Sequence, residues 1–385
     1  MSTLKVNKIE NTATSDGGIA IDSTGHVQLD GVQLPTTGQL SGRRINHNGA
    51  MQIAQRGTSF TGVNSTAYHC DRHELYFQNS SAAFTVTQAT DTPDGFGASL
   101  KIDVTTADTS TASNEEIKLT HKIEGFDLQR TAKGTSAAEQ LTLSFYVKAT
   151  KTGTYVVELF DRDNTRDISA SYTVSDTNWN RYTLTFPADT AGSAFNNDNA
   201  SSLEINWWLV AGSAVQGGSL NTTWRASSDG SSATGQVNFA DSTDNDWLIT
   251  GIQLEVGAKA TPFEHRSFGD ELARCQRYFR RFCEGTSFAS APSCGIGTGS
   301  TNAYHNVKLS PEMRAVPTLA DFSNLRTDDV TGGQAITALT VASTMSSTES
   351  VQLSATSSSG LTQYRPYMLL ANNTSSAKLD LTAEL

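Results

Sequence analysis

Carboxylates and aromatic rings at alternating positions are the residues here whose types and spacing could do chemistry. In SLEINWWLV, Glu204, Asn206 and Trp208 share one side of a strand if Leu203, Ile205, Trp207 and Leu209 take the other. In YVVELF the same alternation sets Glu158 and Phe160 opposite Tyr155, Val157 and Leu159, and in LSFYVK it turns Tyr146 outward beside Ser144 and Lys148. A ring flanked by amides and carboxylates on an open sheet can stack on a sugar and hydrogen-bond its hydroxyls. Trp208, Asn206, Glu204, Tyr146 and Glu158 are therefore the candidate ligand-binding residues. The competing reading is that another sheet, a loop or a sister subunit covers Trp208, because large apolar surface seldom stays exposed without a partner.

No catalytic constellation accompanies them. GxSxG, Walker, HExxH and GxGxxG patterns are absent, so the chain is expected not to be an enzyme. Asp161 and Asp163 flank Arg162, and Asp241, Asp244 and Asp246 precede Trp247. Paired carboxylates can hydrolyse a glycan, but acidic residues between strands commonly build turns. The second cluster could hold a structural calcium, although it lacks the EF-hand spacing and glycine; no other cofactor is expected. His69, Cys70 and His73 are close in sequence. His69 and His73 would still lie roughly 13 Å apart on one strand face, and zinc needs four converging donors, so no metal ligands are assigned there.

The elements that must position these residues are mostly strands. The chain has 385 residues, 17% of them charged, with 8 prolines and 30 glycines. SLKIDV, EIKLTHKI, LTLSFYVKA, TYVVELF, RYTLTF and SLEINWWLV all alternate, which means one buried face per sheet. Many such strands joined by polar turns predict two sheets packed face to face, a sandwich or jelly roll. The strand WLITGIQLEV is expected to send Leu248, Ile252, Leu254 and Val256 inward if no bulge intervenes. After Gly257 and Pro262, Ser267 followed by Asp270 resembles a helix-start signal. A helix is expected from about Gly269 to Phe282, burying Leu272, Cys275, Phe279 and Phe282 on one stripe. Shorter strands follow to the end of the chain.

Charge and cysteine usage narrow the partners. The net charge is −11 with no basic block, which makes nucleic acid a poor partner. No apolar run approaches the ~18 residues of a membrane span, and MSTLKVNKIENTA has no secretory core. The four cysteines (Cys70, Cys275, Cys283 and Cys294) form no CxxC and are expected to be free thiols in a reducing cytoplasm. In GIAIDSTGHVQLDGVQL, Ile19, Ile21, Val27 and Leu29 alternate about a turn at Gly25. This N-terminal segment is too small to bury a core alone and must pack on copies of itself or on another protein.

Several stretches resemble a recurring pattern in bacteriophage tail-fibre and other virion structural proteins. They are NGAMQIAQRGTSF, YHCDRHELYF, GIQLEVGAKATPFEHRSFGDELARCQRYFRRF and VKLSPEMRAVPTL, and STLKVNKIENTATSDGGIAID is similar to the N-terminal segment of marine and cyanophage structural proteins. The patches cover about half the chain, and GIQLEVG…TPFE…CQRY is the most specific. The family often has Trp after Asp-Arg, where this chain has His73. The resemblance implies a homotrimeric fibre with a carbohydrate-binding-like jelly roll that adsorbs to a bacterial surface.

The expected organisation is all-β. Residues 1–43 form an attachment or stalk segment, 44–266 a jelly-roll sandwich, 267–285 a connecting helix and 286–385 a small β domain. The expected function is a non-enzymatic tail fibre or receptor-binding protein. It would sit in the virion tail after assembly in the host cytoplasm, contact other tail or baseplate proteins through residues 1–43, and bind host surface polysaccharide. A purely structural tail or collar component and a glycan depolymerase are the alternatives.

Overall fold

The computed structural model describes residues 8–10, 18–21, 27–29, 32–33, 41–227 and 230–385. In the N-terminal segment the strands Lys8–Glu10, Gly18–Ile21, Val27–Leu29 and Val32–Gln33 pair in sequence order. Ile9 pairs with Ile19 and Ile21 with Val27, so these apolar residues share one face. Ile9, Ile19, Ile21 and Val27 are exposed. The expected turn at Gly25 and the rest of residues 1–43, apart from 41–43, lie outside the described residues.

The chain divides into two compact units, and the division is not sequential. Met1–Gln52, Ser59–Ala67 and His73–His265 form the first; Ile53–Thr58, Tyr68–Arg72 and Arg266–Leu385 form the second.

The first unit is the expected sandwich. One sheet runs in the spatial order Arg225–Ala226, Arg166–Val174, Gly153–Asp161, Ser201–Ala211, Glu116–Glu124, His73–Gln78. The other runs Asn180–Phe186, Leu141–Ala149, Asp246–Val256, Ser99–Thr106, Ala83–Ala89, Ser59–Val63. All pairings recorded within them are antiparallel. The inner faces interlock through rings: Phe145 meets Trp207 edge-on at 5.8 Å and Tyr172 at 5.1 Å. Leu143, Val147, Val157, Leu159, Ile205 and Trp207 are fully buried, as the alternation requires.

The last long strand departs from unbroken alternation. Gly251 has φ +65, and the pairing slips between Ser144 and Tyr146. Before the slip, Trp247 and Ile249 pair with Ala149 and Val147; after it, Leu254 and Val256 pair with Leu143 and Leu141. Leu248 instead pairs with Lys148 and lies on the opposite face, contrary to the expectation. A one-residue bulge reverses every side chain beyond it. Only glycine fits, since a Cβ on Gly251 would stand 2.8 Å from the Phe96 and Tyr146 rings.

Two of the motif stretches meet in this unit. Asn46 donates to the Ile252 carbonyl and accepts from the Leu254 amide, both at 2.9 Å. Ile252 also donates to the Gly49 carbonyl at 2.9 Å, and a Cβ on Gly49 would lie 2.1 Å from the Ile252 oxygen. Asn46 and Gly49 thus extend the edge of GIQLEVG by amide and backbone bonds. Glu255 accepts from the Thr261 amide and hydroxyl, and Glu264 from the Gly42 and Arg44 amides. These carboxylates tie chain segments together.

The second unit holds a closed six-stranded barrel, in the order Ser293–Gly297, Asn302–Lys308, Ser350–Ser357, Gly333–Val341, Leu325–Asp328, Pro366–Ala371. Val307, Leu353, Leu369 and Leu379 belong to its core cluster. The expected helix is present but shorter, spanning Phe268–Gln276, with the Ser267 hydroxyl accepting from the Asp270 amide at 3.2 Å. The residues expected to finish it form a strand, Phe279–Phe282, which pairs with Lys378–Thr382. Sheet bonds and an Arg281–Asp380 fork at 2.7 and 2.8 Å win over continuation of a short helix. Cys275 and Phe279 are buried, while Leu272 and Phe282 are half-buried. Cys70, Cys275 and Cys283 are buried, Cys294 is exposed, and none of the four is in a disulfide.

Candidate ligand-binding groove

The outer face of the first sheet is built in rungs. Lys118 pairs with Tyr76 on one side and Trp208 on the other. Thr120 pairs with Glu74 and Asn206, and Asn206 in turn with Glu158. Lys122 pairs with Glu204, and Glu204 with Phe160. Directly opposite residues share a face, so the rungs place rings, amides and charges side by side.

A groove of about 260 Å³ opens over these rungs, lined in part by Tyr76, Glu116, Lys118, Glu158, Asn206 and Trp208. Arg162 and Glu204 also line it, and both border a second hollow of about 300 Å³ that reaches Glu74 and Lys122. Four of the five expected residues, Glu158, Glu204, Asn206 and Trp208, therefore share one site. Tyr146 does not. It lies on the other sheet, against Phe96 at 5.4 Å, because its strand pairs with Asp246–Val256.

The burial differs from the expectation of an open aromatic surface. Trp208 is 2% exposed and clusters with Val156, Ala211, Val215 and Ala233, with Leu220 packed against them. The segment after the Ser201–Ala211 strand returns over it. Gln236 receives the Val156 amide at 2.8 Å, and Ala233 donates to the Val215 carbonyl at 2.9 Å. Lys118 closes the remaining side, its ammonium 4.5 Å from the Trp208 ring centre and 4.8 Å from that of Tyr76. The covering loop anticipated as the alternative to an exposed tryptophan is what the structure shows.

Around the rings the groove is polar and internally matched. Thr120 donates to Asn206 Oδ1 at 2.8 Å, and Asn206 Nδ2 donates to Glu158 Oε2 at 3.1 Å. Lys118 bonds Glu116 at 2.9 Å, Lys122 bonds Glu74 at 2.9 Å, and Arg162 lies 3.6 Å from Glu204. Burial raises the Glu158 carboxyl to about 7, against the opposing pull of Lys118 and the Asn206 amide. Burial works to lower Lys118, but Glu158 and Glu116 outweigh it and hold the ammonium charged. The lining thus offers fixed donors and acceptors to a hydroxyl-rich molecule. Lys118, Glu116, Tyr76 and Thr120 were not singled out from sequence. The alternation of EIKLTHKI carries the signal for its own members, since it puts Glu116, Lys118, Thr120 and Lys122 opposite Ile117, Leu119 and Ile123.

The other acidic candidates diverge. Asp161 faces Lys133 at 2.6 Å, whereas Asp163 accepts from Asn196. Asp241 pairs with Lys151, Asp246 with Lys101 at 3.1 Å, and Asp244 lies beside Ser242. Among the described residues no group of three or more His, Cys, Asp or Glu side chains is arranged to hold a metal. His73 is 1% exposed, with its ring 4.8 Å from that of His121. Among the described residues no helix is long and apolar enough to cross a membrane.

No protein-family model and no curated protein matches the chain. Among solved structures it is similar to one described as "CBM4 structure and function" at 14% identity and TM-score 0.26, covering 54% of this chain and 97% of that one. It is also similar to a putative sugar binding protein from Bacteroides thetaiotaomicron VPI-5482 at 13% identity and TM-score 0.31, covering 56% and 100%. A third, the family 11 carbohydrate-binding module of a Clostridium thermocellum cellulosomal cellulase, has 11% identity and TM-score 0.26, covering 53% and 99%. Scores this low carry no argument about what this chain binds. The all-β sandwich rests on its own pairings, and the groove on its own side chains.

Proposed function

We propose that this chain is a non-enzymatic, receptor-binding component of a bacteriophage tail fibre that holds a host surface glycan in the outer-face groove. The observation that carries the ligand reading is the groove itself: matched donors and acceptors from four strands, fixed by sheet register, around a hollow of about 260 Å³. The tail assignment is supported by the sequence resemblance of GIQLEVG…TPFE…CQRY and the N-terminal segment. The exposed apolar face of the N-terminal sheet supports attachment or self-association through residues 1–43. Three copies on one fibre would convert weak single contacts into useful avidity. The test has two arms, calorimetric titration of the intact protein with bacterial surface polysaccharides and immunogold labelling of phage particles. Saccharide binding with label on the tail supports the proposal; label on the tail without saccharide binding would leave only a structural role.

The cover over Trp208 favours that second reading, a structural tail or collar component. Under it, changing groove charges should leave adsorption of the particle unaltered.

A further inference from the structure

Resting on the saccharide reading of the groove, we propose that its ligand is an uncharged saccharide, recognised by hydrogen bonds without ring stacking, and that carboxylate-bearing saccharides are excluded. The first ground is that each ring lining the groove has a cation against it. The Lys118 ammonium stands over both Tyr76 and Trp208, and the loop cluster buries the rest of Trp208. The third ring lining the groove, Phe160, has the Arg162 guanidinium 5.7 Å from its centre, so a sugar stacking on any of the three rings would have to displace a cation.

The second ground is charge. The lining carries Glu116, Glu158 and Glu204 against Lys118 and Arg162. Both cations already have partners, Lys118 in Glu116 at 2.9 Å and Arg162 in Glu204 at 3.6 Å. A ligand carboxylate would have to displace one of these and then lie beside the carboxylate it displaced, with Glu158 below. A hydroxyl can accept from the ammonium or guanidinium and donate to a carboxylate without breaking either pair.

Glu158 makes the exclusion adjustable. It is 5% exposed on the groove floor. The charged groups acting on it are Lys118 and Glu116 from the adjoining part of the sheet and Asp167 from the neighbouring strand, while Arg162 and Glu204 share its groove. Because burial brings this carboxyl to about 7, the floor carries little charge in mild acid and a full negative charge in mild alkali. Rejection of anionic saccharides should therefore strengthen as pH rises through neutrality.

The experiment is calorimetric titration of the full chain with gluco-, manno- and galacto-oligosaccharides and with their uronate counterparts. At about pH 8 a neutral oligosaccharide is expected to bind at least about tenfold more tightly than its uronate counterpart. The gap should narrow at about pH 5.5, and also in Glu158→Gln at about pH 8, where the floor charge is gone. Uronate binding as tight as neutral binding overturns the charge selection while leaving a saccharide site. A pH-independent gap in the wild-type chain removes Glu158 from the explanation and overturns the proposed mechanism, whether or not the variant folds. Failure of every probe to bind the folded protein overturns the saccharide reading itself.

Discussion

At the residue scale, Glu158 and Trp208 carry opposite consequences of burial. The folded chain holds the Glu158 proton up to about pH 7, whereas an ordinary glutamate releases it near 4.5. Between those values the folded state binds more proton than the unfolded chain. The contribution of this group to stability therefore falls as pH rises through that window and is level above it. Glu158→Gln should stabilise the protein at about pH 8 by up to ~3 kcal/mol and change little at about pH 4.5. Thermal unfolding at both pH values checks this; an equal shift at both would contradict the assignment. Trp208, by contrast, is a packed ring. Trp208→Ala should cost about 3–5 kcal/mol in denaturant unfolding. A loss below about 1 kcal/mol would show that the loop cluster does not hold the ring.

At the element scale, the motif stretches act as structural latches. Asn46 and Gly49 complete the ladder of the Ile252–Leu254 segment, so Gly49→Ala must push backbone away from the Ile252 carbonyl. It should lower stability by about 1–3 kcal/mol, read by calorimetry. Asn46, Gly49 and the Ile252–Leu254 segment are thus accounted for by folding, and the groove is lined by other residues of the unit. In the second unit, Phe279 is 2% exposed with the Arg56 guanidinium 3.7 Å from its ring centre. Phe279→Ala should cost about 3–5 kcal/mol, while Arg274→Ala, at an exposed helix position, should stay within about 0.5. Similar small effects from both would mean that the Phe279–Phe282 strand is not a core element.

At the scale of the whole molecule, the N-terminal sheet presents Ile9, Ile19, Ile21 and Val27 on an open face. A four-stranded sheet of such short strands cannot bury a core by itself. The proposed fibre predicts a homotrimer by light scattering at micromolar concentration, reduced to smaller species when residues 1–43 are removed. A monomeric full-length chain would contradict that assembly.

What the sequence determined by itself follows from local geometry. Period-two alternation assigned the inner faces of most strands in the sandwich, and with them the shared side of Glu204, Asn206 and Trp208. Ser267 marked the helix start because a hydroxyl three residues before a free amide is a local feature. Other features needed partners distant in the chain. The bulge at Gly251 depends on the strand opposite it, and the end of the helix on a strand about a hundred residues later, near Asp380. Tyr146 shares the outward alternation of Glu158 but belongs to the other sheet. The cover over Trp208 comes from Ala211, Val215, Leu220 and Ala233, and its clamp from Lys118 about ninety residues earlier in the chain. Alternation can say which way a side chain points; whether it meets water, a loop or an ammonium is decided by contacts that only the folded chain brings together.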